Sequence, residues 1–321
     1  MRIVFMGTPE FARRSLEALI GAGFEVALVV TQPDRPAGRG RAPSAPPVGK
    51  YAREKGLAVI QPEKPALALE DLAAAEPDCI VVVAYGHILP GRVLEIPRLG
   101  CVNLHASLLP AYRGAAPIQW AIIRGETVTG VTTILMDEGM DTGPVLMRRE
   151  AHISPEDTAG TLGDRLAAAG ASLLADTAAG LRDGVITPEP QDHSKATYCA
   201  PLRKEDGHID WRRSAAEIAN LARGCDPWPS AFTFHRGKML KIWKAEPRGD
   251  TREGVPPGAV VEAGPGGVLV AAGAGTVLIR EVQLEGRRRM TVEPFLRGYR
   301  LTAGERLTAS KNSGRNYRRE R

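Results

Sequence analysis

Asn103 and His105 stand two residues apart in the segment 101–119, CVNLHASLLPAYRGAAPIQ, and Asp141 follows in the acidic loop 137–143, DEGMDTG. Together these residue types suit chemistry at a carbonyl carbon. A carboxamide donates N–H to an oxygen that is gaining negative charge, and an imidazole gives or takes a proton near neutral pH. A carboxylate beside the ring orients it and favours its cationic form. Ser107 lacks the glycine-flanked elbow of a serine nucleophile. The six histidines show neither H-x-x-x-H nor H-E-x-x-H spacing, so no metal is expected. An isolated N-x-H also fits two core residues satisfied by hydrogen bonds, and the pair alone does not choose between these readings.

The elements around the pair favour a site. Residues 101–105 read as a short strand, whose period of two points Asn103 and His105 to one face. Pro110 stops the strand, because it lacks an N–H and disfavours helix in the residue before it. A polar pair at a strand's C-terminal end, followed by a rigid loop, is where open α/β sheets carry out chemistry. Residues 131–136 read as a second strand, whose end delivers the loop bearing Asp141 towards His105. At the N-terminus, 2–6 is a strand. Thr8, Pro9 and Glu10 then start a helix, and 25–31 returns as a strand. This βαβ opening has no G-x-G-x-x-G, which disfavours a dinucleotide. Further helices are expected over 48–55 and 66–75, with a buried strand over 79–84. A strand over 144–151 and a long helix, capped at 154–157 and reaching about 181, complete an α/β, Rossmann-like domain over 1–189.

The later chain changes character. Residues 190–205 have prolines, mixed charge and little periodicity, and read as a linker. Ser214 and Glu217 form a capping box for a helix ending near Gly224. Short strands over 231–235, 239–245, 258–262, 268–271 and 276–284, separated by Gly and Pro turns, then suit a small OB-like β-barrel within a domain over 206–310. Residues 311–321 are a basic tail. Between the second strand and the helix at 48, residues 32–47 are rich in Pro and Gly and carry Arg35, Arg39 and Arg41 against one acid, Asp34. Such a stretch reads as an exposed, mobile loop, and its arginines suit phosphate capture.

Composition bounds the answer. With 321 residues, 43% hydrophobic and 25% charged, the chain is long enough for one or two cores and ordinary for a soluble globular protein. Its longest clean apolar run, around 80–83, is too short to span a bilayer, and the N-terminus reads as a first strand rather than a signal peptide. Cys79, Cys101, Cys199 and Cys225 form no C-x-x-C, which points to a reducing cytoplasm. Charge divides unevenly. Residues 1–189 hold 18 Lys and Arg against 22 Asp and Glu, whereas 190–321 hold 24 against 15. A basic second half suits a polyanion; a basic tail that serves solubility is the alternative.

The run N-x-H-x-S-L-L-P at 103–110, R-G-A-A-P-I at 113–118 and M-D-x-G-x-D-T-G at 136–143 resembles the formyltransferases that use 10-formyltetrahydrofolate. GTPEF at 7–11, TQPDRPAGRG at 31–40, VAYG at 83–86 and DPWP at 226–229 extend the resemblance over nearly the whole chain. Its motifs look most like those of the members acting on methionyl initiator tRNA. The resemblance implies catalysis by Asn103, His105 and Asp141, without a metal. It also implies folate binding by Tyr85, Gly86, Ile88, Leu89, Ser107, Leu108, Leu109, Pro110, Asp137 and Gly139. Phe11 would lie near the substrate methionine, although its alternative is a helix core residue. Arg35, Arg39 and Arg41, with Arg203 and Lys204, would meet the tRNA, Arg39 matching the key arginine of the arm. No membrane association is implied. Two alternatives remain: formylation of a smaller amine, such as a nucleotide-linked sugar or glycinamide ribonucleotide, and a noncatalytic RNA-binding protein.

The charge division yields a first prediction. Affinity for methionyl initiator tRNA should fall steeply as salt rises, because phosphate contacts release counterions. Titration at several salt concentrations measures the slope, and salt-insensitive binding would contradict an electrostatic grip by the basic half.

Overall fold

The computed structural model describes residues 1–36, 43–250, 252 and 254–310. These fall into two compact units. The first comprises Met1–Pro117, Val128–His152 and Gly163–Ala200; the second comprises Ile118–Thr127, Ile153–Leu162 and Pro201 onwards.

The first unit is built on β1 (Arg2–Gly7), α1 (Glu10–Gly21), β2 (Glu25–Val30), β3 (Arg35–Pro36), β4 (Pro43–Ser44), α2 (Pro47–Glu54), β5 (Val59–Ile60) and α3 (Leu69–Ala74). β6 (Cys79–Val83), α4 (Gly91–Leu94), β7 (Cys101–His105), β8 (Arg113–Gly114), β9 (Val128–Leu135), β10 (Val145–His152), most of α6 (Ala159–Arg182) and β11 (Tyr198–Cys199) follow, whereas α5 (Pro117–Ile123) falls almost wholly in the second unit. Seven strands form one sheet in the order β10-β9-β7-β6-β1-β2-β5. β5, β2, β1, β6 and β7 run parallel, while β9 and β10 are antiparallel additions. The central strands are apolar on both faces, as a sheet covered by helices on both sides requires. Val4 and Met6 with Ile80 and Val82 pack on Leu72 and Val93 from α3 and α4. On the opposite face, Leu104 meets Gly170 of α6, where an added Cβ would lie 2.8 Å from Leu104 Cδ2. From β1 the chain moves outward to β2 and β5, then returns to the other side of β1 as β6. The C-terminal ends of the strands beside such a reversal are the position where open α/β sheets bind ligands.

Two expectations about local structure need revision. Residues 190–205 do not form a plain linker, since β11 pairs in parallel with β8 and Gln191 is buried. The main-chain hydrogen bonds of β8 require this partner. The long helix begins at Ala159 rather than directly after 154–157. Asp157 instead accepts from Ser154 N at 2.7 Å and Thr161 Oγ1 at 3.2 Å, closing a turn before the helix.

The second unit contains α7 (Ala215–Gly224), opened by the Ser214–Glu217 capping box. β12 (Ala231–His235), β13 (Lys238–Arg248), β14 (Val260–Gly264), β15 (Gly267–Ala271), β16 (Thr276–Leu284), β17 (Met290–Thr291) and α8 (Val292–Gly298) complete it. The antiparallel order is β12-β13-β16-β15-β14, with β17 on β16. Thr308 bridges to Phe234 of β12 and Arg306 to Ala259 just before β14, so one segment joins the two edges and closes a small barrel. Alternating apolar residues, including Leu240, Ile242, Val268, Val270, Val277 and Ile279, fill it beside Trp211, Ala219 and Phe295. No helix among the described residues is long and apolar enough to cross a membrane.

At the barrel seam, His235 is buried, with Nδ1 2.9 Å from Tyr299 Oη and Nε2 3.7 Å from Glu305. Burial holds its pKa below the ordinary histidine value; Glu305 opposes this shift and Arg236 adds to it. The unfolded chain therefore takes up this proton first as pH falls. The His235 contribution is fully present above 6.5 and is lost as pH drops through that value towards the folded pKa. Replacing it, as in His235→Gln, should flatten the stability profile of the unit between about pH 8 and about pH 5. Denaturant unfolding across that range checks this, and an unchanged slope would refute it.

Candidate active site

β7 sets the site. Its alternation puts Asn103 and His105 on one face, and the antiparallel register pairs them with Ile134 and Thr132 of β9. The loop leaving β9 returns Asp141, whose Oδ1 lies 3.4 Å from Asn103 Nδ2 and whose Oδ2 lies 3.5 Å from His105 Nδ1. Both contacts are long. The ring is fixed more tightly at its other nitrogen, where Nε2 is 2.8 Å from the Tyr112 carbonyl oxygen. A carbonyl only accepts, so Nε2 carries the hydrogen and Nδ1 is the nitrogen facing the carboxylate.

The carboxylate is itself held by the main chain. Gly114 N–H donates to Asp141 Oδ2 at 2.8 Å. Gly114 has φ +115°, and a Cβ there would run into the Cys199 carbonyl oxygen across the β8–β11 pair. Tyr112, two residues earlier, is supported by Thr197, whose Oγ1 accepts from the Tyr112 N–H at 2.8 Å. Thr132 stabilises the turn after β7: its Oγ1 donates to Ser107 O at 2.7 Å and accepts from Leu109 N at 3.2 Å. Sequence reasoning missed Tyr112, Gly114, Thr132 and Gln191. The first three act through main-chain atoms or lie in a strand without a motif, and Gln191 fell in the supposed linker.

The residues expected to hold folate are dispersed. Tyr85 is buried, its Oη lacks a hydrogen-bond partner, and burial raises its pKa. Gly86 has φ +86°, with its missing Cβ aimed at Gln32 Nε2, which donates to Tyr85 O. Leu89 and Leu109 are buried, Leu108 and Pro110 are partly buried, and Ile88 projects into solvent. Ser107 is buried with Oγ donating to Ala111 O at 2.5 Å, which occupies its hydroxyl hydrogen. Asp137 and Gly139 are exposed, and Asp137 Oδ1 accepts from Gly139 N and Thr142 Oγ1 within its own loop. They are therefore not drawn into the Asn103–His105–Asp141 cluster.

Phe11 lies in the first turn of α1 and is partly buried. Arg203 and Lys204 are exposed in the second unit, and Arg35 is exposed at the base of the arginine arm. That base is ordered, because β3 pairs with β4 and Gln61 Nε2 donates to Gln32 O at 2.9 Å and Asp34 Oδ1 at 2.8 Å. Arg39 and Arg41 lie outside the described residues, as does the tail 311–321. Among the described residues, no group of three His, Cys, Asp or Glu side chains is arranged to hold a metal ion.

A carboxamide, an imidazole and a carboxylate gathered at the C-terminal end of β7 suit group transfer at a carbonyl carbon. The formyl transferase family model matches residues 1–178, and the model of the formyl transferase C-terminal domain matches residues 201–300. The chain belongs to the formyltransferase family. It is 52% identical over 305 residues to the methionyl-tRNA formyltransferase of Desulfotalea psychrophila, with 94% of each chain covered. It is likewise 52% identical over 315 residues to the methionyl-tRNA formyltransferase of Acidobacterium capsulatum, covering 96% of this chain and 100% of that one. In fold it resembles the Helicobacter canadensis N-formyltransferase solved with folinic acid and dTDP-3-aminofucose, with TM-score 0.68 and 18% identity, covering 90% of this chain and 99% of that one.

The position of Gly114 yields a prediction. Gly114→Ala must relieve a clash with the Cys199 carbonyl and place a side chain at positive φ, a conformation that costs an L-residue about 1–2 kcal/mol. Stability should fall by at least that amount, and turnover should fall further because the donor to Asp141 moves. Unfolding and steady-state assays measure both. Unchanged turnover would mean that the main chain at Gly114 does not orient Asp141.

Proposed function

We propose that this chain transfers a formyl group from 10-formyltetrahydrofolate to the free α-amino group of methionyl initiator tRNA, giving formylmethionyl-tRNA for translation initiation in the cytoplasm. The observation that carries this reading is the convergence of Asn103, His105 and Asp141 in a chain whose 52%-identical relatives, matched over nearly their whole length, are methionyl-tRNA formyltransferases.

The amine attacks the formyl carbon, and the carbonyl electron pair moves to oxygen. Asn103 Nδ2–H, held among the described residues by its long contact to Asp141, donates to that developing oxyanion. The ammonium formed on the nucleophile must lose a proton, and the departing folate nitrogen must gain one. His105 carries this proton on Nδ1 while Nε2–H remains on the Tyr112 carbonyl, and Asp141 stabilises the imidazolium. The bond to the folate nitrogen then breaks and the carbonyl re-forms. Tyr85, Gly86, Leu89 and the 107–110 turn supply the folate wall, and Phe11 lines the methionine side. Asp137 and Gly139 shape the far loop, and Ile88 offers exposed apolar surface to the cofactor. Arg35, Arg39, Arg41, Arg203 and Lys204 receive tRNA phosphates, Arg39 steering the acceptor end.

Asn103→Ala and His105→Ala should each lower kcat by about 10²–10³, the usual cost of losing one positioned donor, with tRNA affinity retained. Asp141→Asn should alter both turnover and the pH–rate profile, since an amide cannot stabilise imidazolium. The measurement is transfer of labelled formyl from cofactor to charged initiator tRNA. Parental rates in both alanine variants would remove these residues from the mechanism, and absence of transfer by the parent protein would remove the reaction.

A further inference from the structure

The Asp141 carboxylate is gripped at one end by Gly114, while its main chain is gripped by a side chain that no catalytic motif contains. Gln191 is buried, and its Nε2 donates both to Asp141 O at 2.9 Å and to Gly143 O at 2.7 Å. Its Oε1 accepts two bonds from the buried Arg113, from Nε at 3.2 Å and Nη2 at 2.7 Å. This orientation of the amide is the one the partners permit, because guanidinium only donates and the two carbonyls only accept. Arg113 is secured in turn, with Nη2 3.2 Å from His193 Nδ1 and its main chain in the β8–β11 pair.

The loop needs such a hold. Asp141 sits at φ +55°, a conformation costly for a residue with a Cβ, and a Cβ at Gly143 would run into the Leu135 carbonyl oxygen. Arg113 stands between Tyr112, whose carbonyl fixes the His105 ring, and Gly114, whose N–H fixes the Asp141 carboxylate. The contacts close a ring from the Asp141 carboxylate through Gly114, Arg113 and Gln191 back to the Asp141 carbonyl. We propose that Gln191, braced by Arg113, is a positioning residue that keeps the Asp141 carboxylate aligned with His105 during formyl transfer. This rests on the reading that Asp141 serves His105 in that reaction.

The test is Gln191→Glu, which gives Arg113 a carboxylate of the same reach but removes both donors to the loop carbonyls. Melting temperature should fall, because two buried carbonyls lose their donor and face a carboxylate oxygen. KM for folate and tRNA should stay unchanged, while kcat falls by about 10²-fold, the scale expected for small misplacement of a catalytic group. Gln191→Asn, which keeps both chemistries on a shorter stem, should show the same split with a smaller loss. In an Asp141→Ala background, adding Gln191→Glu should change kcat by no more than about twofold, since there is no carboxylate left to align. Parental kcat in both Gln191 variants would overturn the proposal. An equal fold-loss with and without Asp141 would also overturn it, because Gln191 would then act by another route. Parental kcat in Asp141→Ala alone would instead sink the underlying reading of the site, and the proposal with it.

Discussion

The hydrogen bond from Gly114 N–H to Asp141 is the constraint on which the site depends, because it ties a loop carboxylate to the strand that also fixes the histidine. Along Tyr112–Arg113–Gly114, the first residue gives its carbonyl to His105, the second its guanidinium to Gln191, and the third its N–H to Asp141. A strand residue, His105, and a loop residue, Asp141, thereby share one reference frame. The frame is rigid because β8 is paired: Arg113 N donates to Thr197 O at 2.8 Å and Ala115 N to Cys199 O at 3.1 Å. Each bond is worth about 1 kcal/mol net, yet an orphaned buried donor or acceptor costs more than that, so loss of one member disturbs the rest.

Backbone strain occurs at this place too. Ala84, Tyr112 and Asp141 have positive φ without being glycine, at 44°, 60° and 55°. Ala84 ends the strand before the proposed folate loop, Tyr112 turns its carbonyl onto His105, and Asp141 supplies the carboxylate. Glycine would adopt these angles more readily but could not supply the Asp141 carboxylate. At Tyr112 and Asp141 the neighbouring hydrogen bonds over-determine these angles, which is the condition for strain to persist in a folded chain.

Much of this is legible in the sequence. The period-two spacing of Asn103 and His105 predicts their shared face, and the loop after β9 is short enough to return Asp141. The second unit was readable because its strands alternate and end at Gly or Pro turns, so hydrophobic burial alone sets their register. Gln191 was not legible. It lies 50 residues from Asp141 and 78 from Arg113, in an aperiodic stretch, and its role depends on main-chain carbonyls that have no sequence signature. The grouping of Ile118–Thr127 and Ile153–Leu162 with the second unit was equally hidden, since neither stretch changes in composition. Propensity places elements; it does not say which unit a connecting segment joins.

The identity of the nucleophile follows from what the protein withholds. Ser107 is buried and its hydroxyl hydrogen is committed to Ala111 O, while Thr132 Oγ1 donates to Ser107 O. Burial pushes the Cys101 thiol, at the start of the same strand, up to about 12, so it stays protonated near neutral pH. The Asp141 carboxylate accepts from Gly114 and faces the His105 ring, which leaves it orienting rather than attacking. In the proposed reaction the nucleophile is brought by the substrate, with Asn103 as donor and His105 as proton carrier, which removes the need for a covalent enzyme intermediate. The acceptor amine must then arrive with its lone pair directed at that carbon, and delivery of the acceptor is the step that the proposed function assigns to the arginine arm and the basic second half of the chain.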